Sequence, residues 1–231
     1  MNLVHYSFLV LAAAAIASYR WQLLGFKWAI GGLAIVVLAW LLVALGSVFY
    51  SLFMRERGVF TDNVQVLVLS LLPIATTVAL LWAINQVPAI ADISTDTDDP
   101  PVFVRALALR QPTDNPLGYS IVNSGKQRDA YPDIQPLVIV DGSFDRVFSR
   151  VQHIVSQRGW VLIHQERAKG VLEAYATSPV FGFVDDISIR LRQTPEGVIV
   201  DVRSASRVGL SDFGANAKRI RGFLHALSED S

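Results

Sequence analysis

The sequence predicts three amino-terminal transmembrane helices followed by a small α+β domain, in which an antiparallel sheet carries two helices on one face. The chain is 52% hydrophobic and only 17% charged over 231 residues, and nearly all of the apolar excess lies before residue 86. A stretch rich in proline and aspartate follows, and from residue 132 apolar residues recur with the periods of strands and helices. We therefore divide the chain into membrane helices at 1–85, a linker or arm at 86–131 and a folded domain at 132–231.

Three uncharged stretches at residues 3–19, 28–53 and 64–84 are the predicted membrane spans. A helix needs about 20 apolar residues to cross a hydrocarbon layer of about 30 Å, and these stretches lie near or above that length. The small-residue run at 15–17 resembles a signal-peptide cleavage site, but no Lys or Arg precedes the apolar run, which favours a retained helix. The pattern predicts a multi-pass protein whose first partner is the lipid bilayer.

The charged residues around these stretches do not determine their orientation. With the amino terminus inside, Arg20 and Lys27 lie in the first loop and Arg55 and Arg57 in the second, so the basic residues are evenly divided. The formal net charge is zero, which provides no basic excess for nucleic acid, and we predict no nucleic-acid partner. The chain has no cysteine, which excludes disulfides, thiolate nucleophiles and zinc–thiolate sites.

Residues 86–131 predict either a linker, which is the default interpretation, or an ordered arm packed on the domain. Prolines interrupt regular structure throughout this segment. The acidic run DISTDTDDPP at 92–101 lacks the ligand spacing of an EF-hand, so no metal site is predicted there. An arm is favoured by a group of residues too apolar for a fully solvated tether, namely Val102, Phe103, Val104, Leu107 and Leu109.

The domain begins with a β-rich segment at 134–140 and continues into a helix. Ser143 is a favourable N-cap, and Gly159 ends the helix because glycine accepts the left-handed conformation. Segments 160–165 and 171–178 then form a hairpin. The predicted apolar face of the helix consists of Phe144, Val147, Phe148, Val151, Ile154 and Val155.

A second hairpin follows, and its pattern is the clearest in the chain. Apolar residues alternate with polar ones over 187–191 and again over 198–202. If residues 194–197 form a four-residue loop, Arg190 lies directly opposite Asp201 on the polar face of the hairpin. An ion pair there is expected to contribute about 0.2–1 kcal/mol.

The last helix is predicted to begin at Ser211 or Asp212, either of which can cap its amino end. The element order of the domain is then β-α-β-β-β-β-α, which predicts one antiparallel sheet with both helices on one face. Asn216 and Arg219 are expected to face away from the core. The predicted buried stripe is Phe213, Ala217, Ile220, Leu224 and Leu227.

Three segments of the domain resemble a known family. They read YPDIQPL at 131–137, FGFVDDISIRL at 181–191 and DVRSASRVGLSDFGANAKRI at 201–220. The segments are similar to the bacterial and plastid domain-of-unknown-function family DUF1499. Members are usually secreted, lipid-anchored or membrane-tethered, so the resemblance implies a periplasmic domain held at a bacterial inner (plasma) membrane. It implies no activity and no catalytic residue.

Signatures of common enzymes are missing from the sequence, which has no GxSxG elbow, no P-loop, no GxGxxG and no HExxH. We therefore predict no catalytic residue, no metal and no cofactor. Asp185 and Asp186 are adjacent, so on a strand their side chains point to opposite faces and make a poor acid–base pair.

The polar run at 203–207 is the better candidate for a site. Its two arginines and two serines precede the amino end of the last helix, and these groups together could hold a carboxylate or phosphate. The alternative is that Arg203 and Arg207 bridge Asp201, Asp212, Asp185 or Asp186 and brace the loop. The candidate ligand-binding residues are Arg203, Ser204, Ser206, Arg207, Ser211, Asp212, Asn216, Asp185, Asp186 and Arg190.

Three hypotheses for the function follow from these observations. In the first, the chain is a non-enzymatic membrane protein that displays a small periplasmic domain for another envelope protein or an anionic small molecule. In the second, it is a membrane-surface enzyme acting on lipid head groups or envelope precursors. In the third, it stabilises a larger membrane complex through its helices, where small residues such as Gly31, Gly32 and Gly46 permit close contact.

Overall fold

The computed structural model describes residues 2–54, 71–72, 75–79, 82, 86–140 and 142–229. The chain divides into two compact units. The first comprises Met1–Asn85 and Pro179–Gly182, and the second comprises Gln86–Ser178 and Phe183–Ser231.

The first unit contains helices α1 (Asn2–Arg20) and α2 (Phe26–Met54). Among the described residues, only Phe26–Ser47 forms a helix long and apolar enough to cross a membrane. The apolar part of α1, Tyr6–Arg20, is shorter, and at 1.5 Å per residue it extends over only about 22 Å of a layer about 30 Å thick. The prediction of three transmembrane helices, and with it that of a multi-pass inner-membrane protein, is therefore wrong. Most of the third predicted span, 64–84, lies outside the described residues.

The second unit is built on a six-stranded antiparallel sheet in the order β1-β6-β5-β4-β3, with β2 also paired to β6. The sequence pattern predicts five of these strands and misses β1, which lies in the acidic run. The strands are β1 (Asp92–Ser94), β2 (Leu137–Val140), β3 (Val161–Glu166), β4 (Val171–Thr177), β5 (Val184–Thr194) and β6 (Gly197–Ser206).

The register of the β5–β6 hairpin confirms that Arg190 lies opposite Asp201. Thr194 pairs with Gly197, which leaves two residues in the turn. Gly197 has a φ of 141°, and a Cβ atom there would lie 2.1 Å from the carbonyl oxygen of Ile139. Only glycine therefore lets β2 approach the start of β6.

Four α-helices accompany the sheet among the described residues of the second unit, together with a short 3₁₀-helix at Arg167–Lys169. They are α3 (Arg105–Leu109), α4 (Ile121–Ala130), α5 (Phe144–Gln157) and α6 (Ala215–Glu229).

Helices α5 and α6 pack with the apolar side chains of β4, β5 and β6 in one core. The predicted face of α5 is confirmed, since Val147, Phe148, Val151, Ile154 and Val155 are buried. The core also contains Trp160, whose ring stacks on Phe223 at 5.7 Å between centroids.

The predicted stripe of α6 needs two corrections. Phe213 precedes the helix and is 51% exposed, and Phe223 is buried in the core. Asn216 does not face away from the core but is fully buried. A helical period places Asn216 beside the buried stripe, and hydrogen bonds to the sheet compensate for the burial of its amide.

Residues 86–131, called the arm below, form an ordered part of the second unit. The arm contains β1, α3 and α4, and it packs on the sheet. The hydroxyl of Ser188 donates to the carbonyl of Val102 at 2.8 Å, and the backbone of Ser94 exchanges hydrogen bonds with the amide of Gln127 at 3.0 and 2.6 Å. The arm therefore contacts strand β5 through residues 86 positions apart in the sequence.

Candidate functional site: the polar face beneath the arm

One face of the sheet is polar, and the arm covers it. Directly paired residues share a face, so the register places Glu173 beside Ser188, Ser188 beside Arg203, and Arg190 beside Asp201. The side chains alternate with the apolar residues that face α5 and α6. Glu173, Asp201 and Arg203 are at most 3% exposed. The polar face is thus an interior surface, whereas its alternating pattern alone is also typical of a solvated face.

Arg203 joins the arm to the middle of β6. Its Nε and Nη2 atoms donate to the two carboxylate oxygens of Asp92 at 3.0 and 2.7 Å. The guanidinium also donates to the carbonyls of Pro101 and Leu117 at 3.2 and 2.8 Å. It lies over an aromatic ring of Phe103 at 4.9 Å. The described contacts of Arg203 hold the arm on the sheet, through Asp92 rather than through one of the carboxylates that the bracing alternative names.

Asp186 forms a second centre of charge on the same face. Its carboxylate is fully buried and accepts hydrogen bonds from Arg110 of the arm at 2.8 Å and from Arg207 at 2.7 Å. The Arg207 guanidinium also lies 5.7 Å from the ring of Tyr175. Two guanidinium groups therefore share one carboxylate.

Arg190 forms a third group of contacts, nearer the β5–β6 turn. It donates to Asp201 at 3.1 Å, to Asp96 at 3.2 Å and to Asp99 at 2.8 Å. Asp201 is fully buried, while the Asp99 side chain is 74% exposed. The predicted cross-strand ion pair exists, but it belongs to a network that includes the acidic run of the arm.

Glu173 binds the start of α3. Its carboxylate accepts hydrogen bonds from the backbone amides of Val104 at 2.7 Å, Arg105 at 3.0 Å and Ala106 at 2.9 Å. These amides belong to the first turn of a helix and have no partners within it, so a carboxylate from β4 serves as their cap. The sequence pattern does not indicate this role for Glu173.

The other predicted site residues lie on the opposite face, towards α6. Asp185 accepts from Arg219 at 2.5 Å, and the Ser204 hydroxyl donates to Asn216 at 2.7 Å. Asn216 in turn donates to the Ser206 hydroxyl at 3.0 Å. Asp185 and Asp186 thus point to opposite faces as predicted. The two predicted serines do not lie beside Arg203 and Arg207, and the Ser204 hydroxyl instead accepts from Arg219 at 3.0 Å.

The amino end of α6 is occupied by a carboxylate of the chain itself. The helix begins at Ala215 and not at Ser211 or Asp212 as predicted, but the Asp212 carboxylate accepts from the backbone amides of Gly214 at 2.8 Å and Asn216 at 2.7 Å at its start. Burial raises the pKa of the Asp212 carboxyl above its ordinary value, and the nearby charge of Asp185 acts in the same direction. The Ser211 hydroxyl accepts from the amide of Phe213 at 3.2 Å. An external anion at this helix end would have to displace Asp212.

The predicted residues therefore form two groups separated by the sheet. Arg203, Arg207, Asp186 and Arg190 lie beneath the arm, whereas Asp185, Ser204, Ser206, Asn216 and the Asp212 cap lie towards α6. Within the described part of the chain, no three carboxylate or imidazole groups are placed to bind a metal ion together. The residues that the sequence analysis missed are Asp92, Arg110, Glu173 and Arg219.

Tyr119 provides a test of how tightly the arm is packed. Its hydroxyl donates to Gln127 at 3.0 Å, and burial, followed by the charge of Asp92, raises its pKa from 10.0 to about 12. Because the folded pKa is the higher one, this group's contribution to stability is complete below pH 10 and is lost as the pH rises towards 12. We expect the wild type to lose stability faster than Tyr119→Phe over this interval, in denaturation curves of the detergent-solubilised chain. Parallel losses in the two proteins would contradict the buried phenol.

Comparison with known proteins gives one result. A search of curated proteins finds no match to the chain. One family model matches residues 92–227, which include the strand β1 of the arm and end in α6. This region is more than half of the chain, and the chain therefore belongs to the family described as protein of unknown function, DUF1499.

Proposed function

We propose that this chain is a membrane-tethered binding protein whose sheet domain presents Arg207 to an acidic group of a small anionic ligand or a partner protein. The tether is the helix at Phe26–Ser47, which is long and apolar enough to cross a bilayer. The observation that carries the proposal is that the Arg207 side chain lies at the margin of the buried network, where it pairs with Asp186 and is still partly exposed.

Arg207 differs from Arg203 in how much of its side chain remains accessible. The Arg207 side chain is 18% exposed and that of Arg203 only 3%. The hydrogen bonds described for Arg207 use Nε and Nη2, which both face Asp186. Nη1 is therefore the atom that we assign to an external acceptor.

The charged groups around Arg207 keep its guanidinium protonated, as binding of an anion requires. Burial alone would lower the pKa of Arg207, but the hydrogen bonds and charge of Asp186 outweigh burial and raise it. Arg110 donates to the same carboxylate, so Asp186 is shared by two cations, and the charge of Asp114 also acts on Arg207. Arginine suits carboxylate and phosphate because its planar fork matches their oxygens.

The test is a titration of the full-length, detergent-solubilised protein with inorganic phosphate, measured by calorimetry. We expect Arg207→Gln to weaken binding about tenfold or more, since a hydrogen bond to a charged group contributes about 1.5–3 kcal/mol. Arg207→Lys keeps the charge but loses the fork, and should lie between the two. Arg192→Gln is the matched control, because Arg192 is an exposed arginine of the same face that pairs with Asp201 at 2.9 Å. Equal affinities in wild type and Arg207→Gln would refute the proposal.

A further inference from the structure

The loop between β6 and α6, residues 207–214, carries two apolar side chains into solvent. Leu210 is 86% exposed and Phe213 is 51% exposed. Both side chains lie between Gly209 and Gly214, whose φ angles are 89° and 79°. Phe213 itself has a φ of 54°, in the left-handed region that a bulky side chain disfavours. The fold thus places an aromatic ring in water in a conformation that does not favour it.

This loop is held firmly rather than left as a free coil. On one side, Asn115 of the arm donates its side-chain amide to the carbonyl of Gly209 at 2.8 Å, and its backbone amide donates to Arg207 at 2.6 Å. On the other side, Asp212 accepts from two backbone amides at the start of α6. These hydrogen bonds therefore hold the loop backbone in a conformation in which Leu210 and Phe213 are exposed.

The same end of the sheet is where the chain enters the second unit. The amide of Ser206 donates to the carbonyl of Ala91 at 2.8 Å, and the amide of Asp212 donates to that of Ile90 at 3.4 Å. The second unit begins at Gln86, only four residues before Ile90. Four residues of extended chain reach about 14 Å at most, so the loop lies close to the point of entry.

The helix that qualifies as a membrane span, Phe26–Ser47, lies upstream of this point of entry on the same chain. We propose that the loop at 207–214 docks the domain on the surface of the lipid bilayer, with Leu210 and Phe213 inserted among the head groups. Leucine and aromatic side chains are those that partition into this interface. Two side chains would bind a membrane weakly on their own, but a tether on the same chain raises their effective concentration at the surface.

The inference uses the tether of the proposed function but not its anion site. Arg207 begins the loop, so anionic lipid would strengthen docking if its free guanidinium edge meets a phosphate head group. An Arg207→Gln variant that loses phosphate binding but keeps its loop in the bilayer would therefore separate the two ideas.

The chain has no cysteine, so a single introduced cysteine can be labelled specifically. The experiment compares nitroxide labels at Leu210→Cys, Phe213→Cys and Val140→Cys in the full-length protein. Val140 is the control because it is 68% exposed and pairs with Gly197, at the other end of β6. The protein is reconstituted into phosphatidylcholine vesicles with and without phosphatidylglycerol, and collisions with oxygen and with a water-soluble nickel chelate are measured.

We expect labels at 210 and 213 to favour oxygen over the chelate by several-fold relative to the label at 140. A label at 210 as accessible to the chelate as that at 140 would overturn the proposal. Protection from both reagents would overturn it in favour of a protein partner. Phe213→Gly in the Leu210→Cys background provides a variant that folds, since glycine accepts the left-handed backbone. In this variant we expect reduced oxygen preference at 210 and an unchanged or higher denaturation midpoint, and an unchanged preference would count against insertion of the ring.

Discussion

Asp186→Asn should destabilise the second unit by about 3–5 kcal/mol, the range found when one partner of a buried ion pair is removed. The Asp186 carboxylate is fully buried between Arg110 and Arg207, whose side chains are 6% and 18% exposed. A neutral amide would leave both guanidinium groups without their counter-charge. The measurement is chemical denaturation of the detergent-solubilised full-length protein in which the other four tryptophans are replaced by phenylalanine, so that fluorescence reports Trp160, which stacks in the core against Phe223.

The control for this prediction is an exposed ion pair of similar length. Asp145 accepts from Arg167 at 2.7 Å, but its side chain is 77% exposed, so Asp145→Asn should change stability by less than about 1 kcal/mol. A second variant distinguishes lost charge from lost packing. Asp186→Asn combined with Arg207→Gln should recover part of the loss, because one uncompensated cation is removed with the anion. Similar losses in the Asp186 and Asp145 variants would contradict a buried network.

The local pattern of the domain was sufficient to predict the elements that depend on near neighbours. The alternation over 187–191 and 198–202 predicts both strands and their register, because a hairpin register follows from the length of its turn. The apolar face of α5 is predicted equally well, since its residues recur with the period of one helix.

Elements and contacts that depend on residues far apart in the sequence could not be predicted from local patterns. Strand β1 has three residues in an acidic run, and its Asp92 reaches Arg203 across 111 positions of sequence. The sequence also does not show that the polar face is buried, because polar and apolar residues alternate in the same way whether water or another segment of the chain covers the polar side chains. For this reason the sequence indicates Arg203, Arg207 and Asp186 but neither Asp92, which pairs with Arg203, nor Arg110, which shares Asp186 with Arg207.

The membrane helices show a different kind of error. The uncharged stretch at 3–19 agrees closely with helix α1, but its length is at the lower limit for crossing a bilayer. The α1 helix continues to Arg20, and its apolar part is shorter than a membrane requires. The described residues therefore support one candidate span, and the sheet domain is the part of the chain from which function can be argued.

Glu173→Gln should produce the other large effect, a loss of about 3 kcal/mol or more together with release of the arm. The Glu173 carboxylate accepts from three consecutive backbone amides at the start of α3, and hydrogen bonds to a charged acceptor contribute about 1.5–3 kcal/mol each. Glutamine has one acceptor oxygen, and its NH₂ group would point its hydrogens at the remaining amides. Val104, Arg105 and Ala106 would then lack a cap, although Ala106 is fully buried.

Hydrogen–deuterium exchange of the peptide that contains residues 104–106 reports this release directly. Exchange there should rise by at least the factor that corresponds to the lost stability, while exchange in α5 rises only with global unfolding. Glu166→Gln is the control, because Glu166 lies on the neighbouring strand β3 and pairs with Lys169 at the surface, with 40% of its side chain exposed. The Glu166→Gln control should leave exchange at 104–106 unchanged. If Glu173→Gln also leaves it unchanged, Glu173 does not hold the arm, and the arginine contacts at Asp92 and Asp186 are sufficient to keep the arm on the sheet.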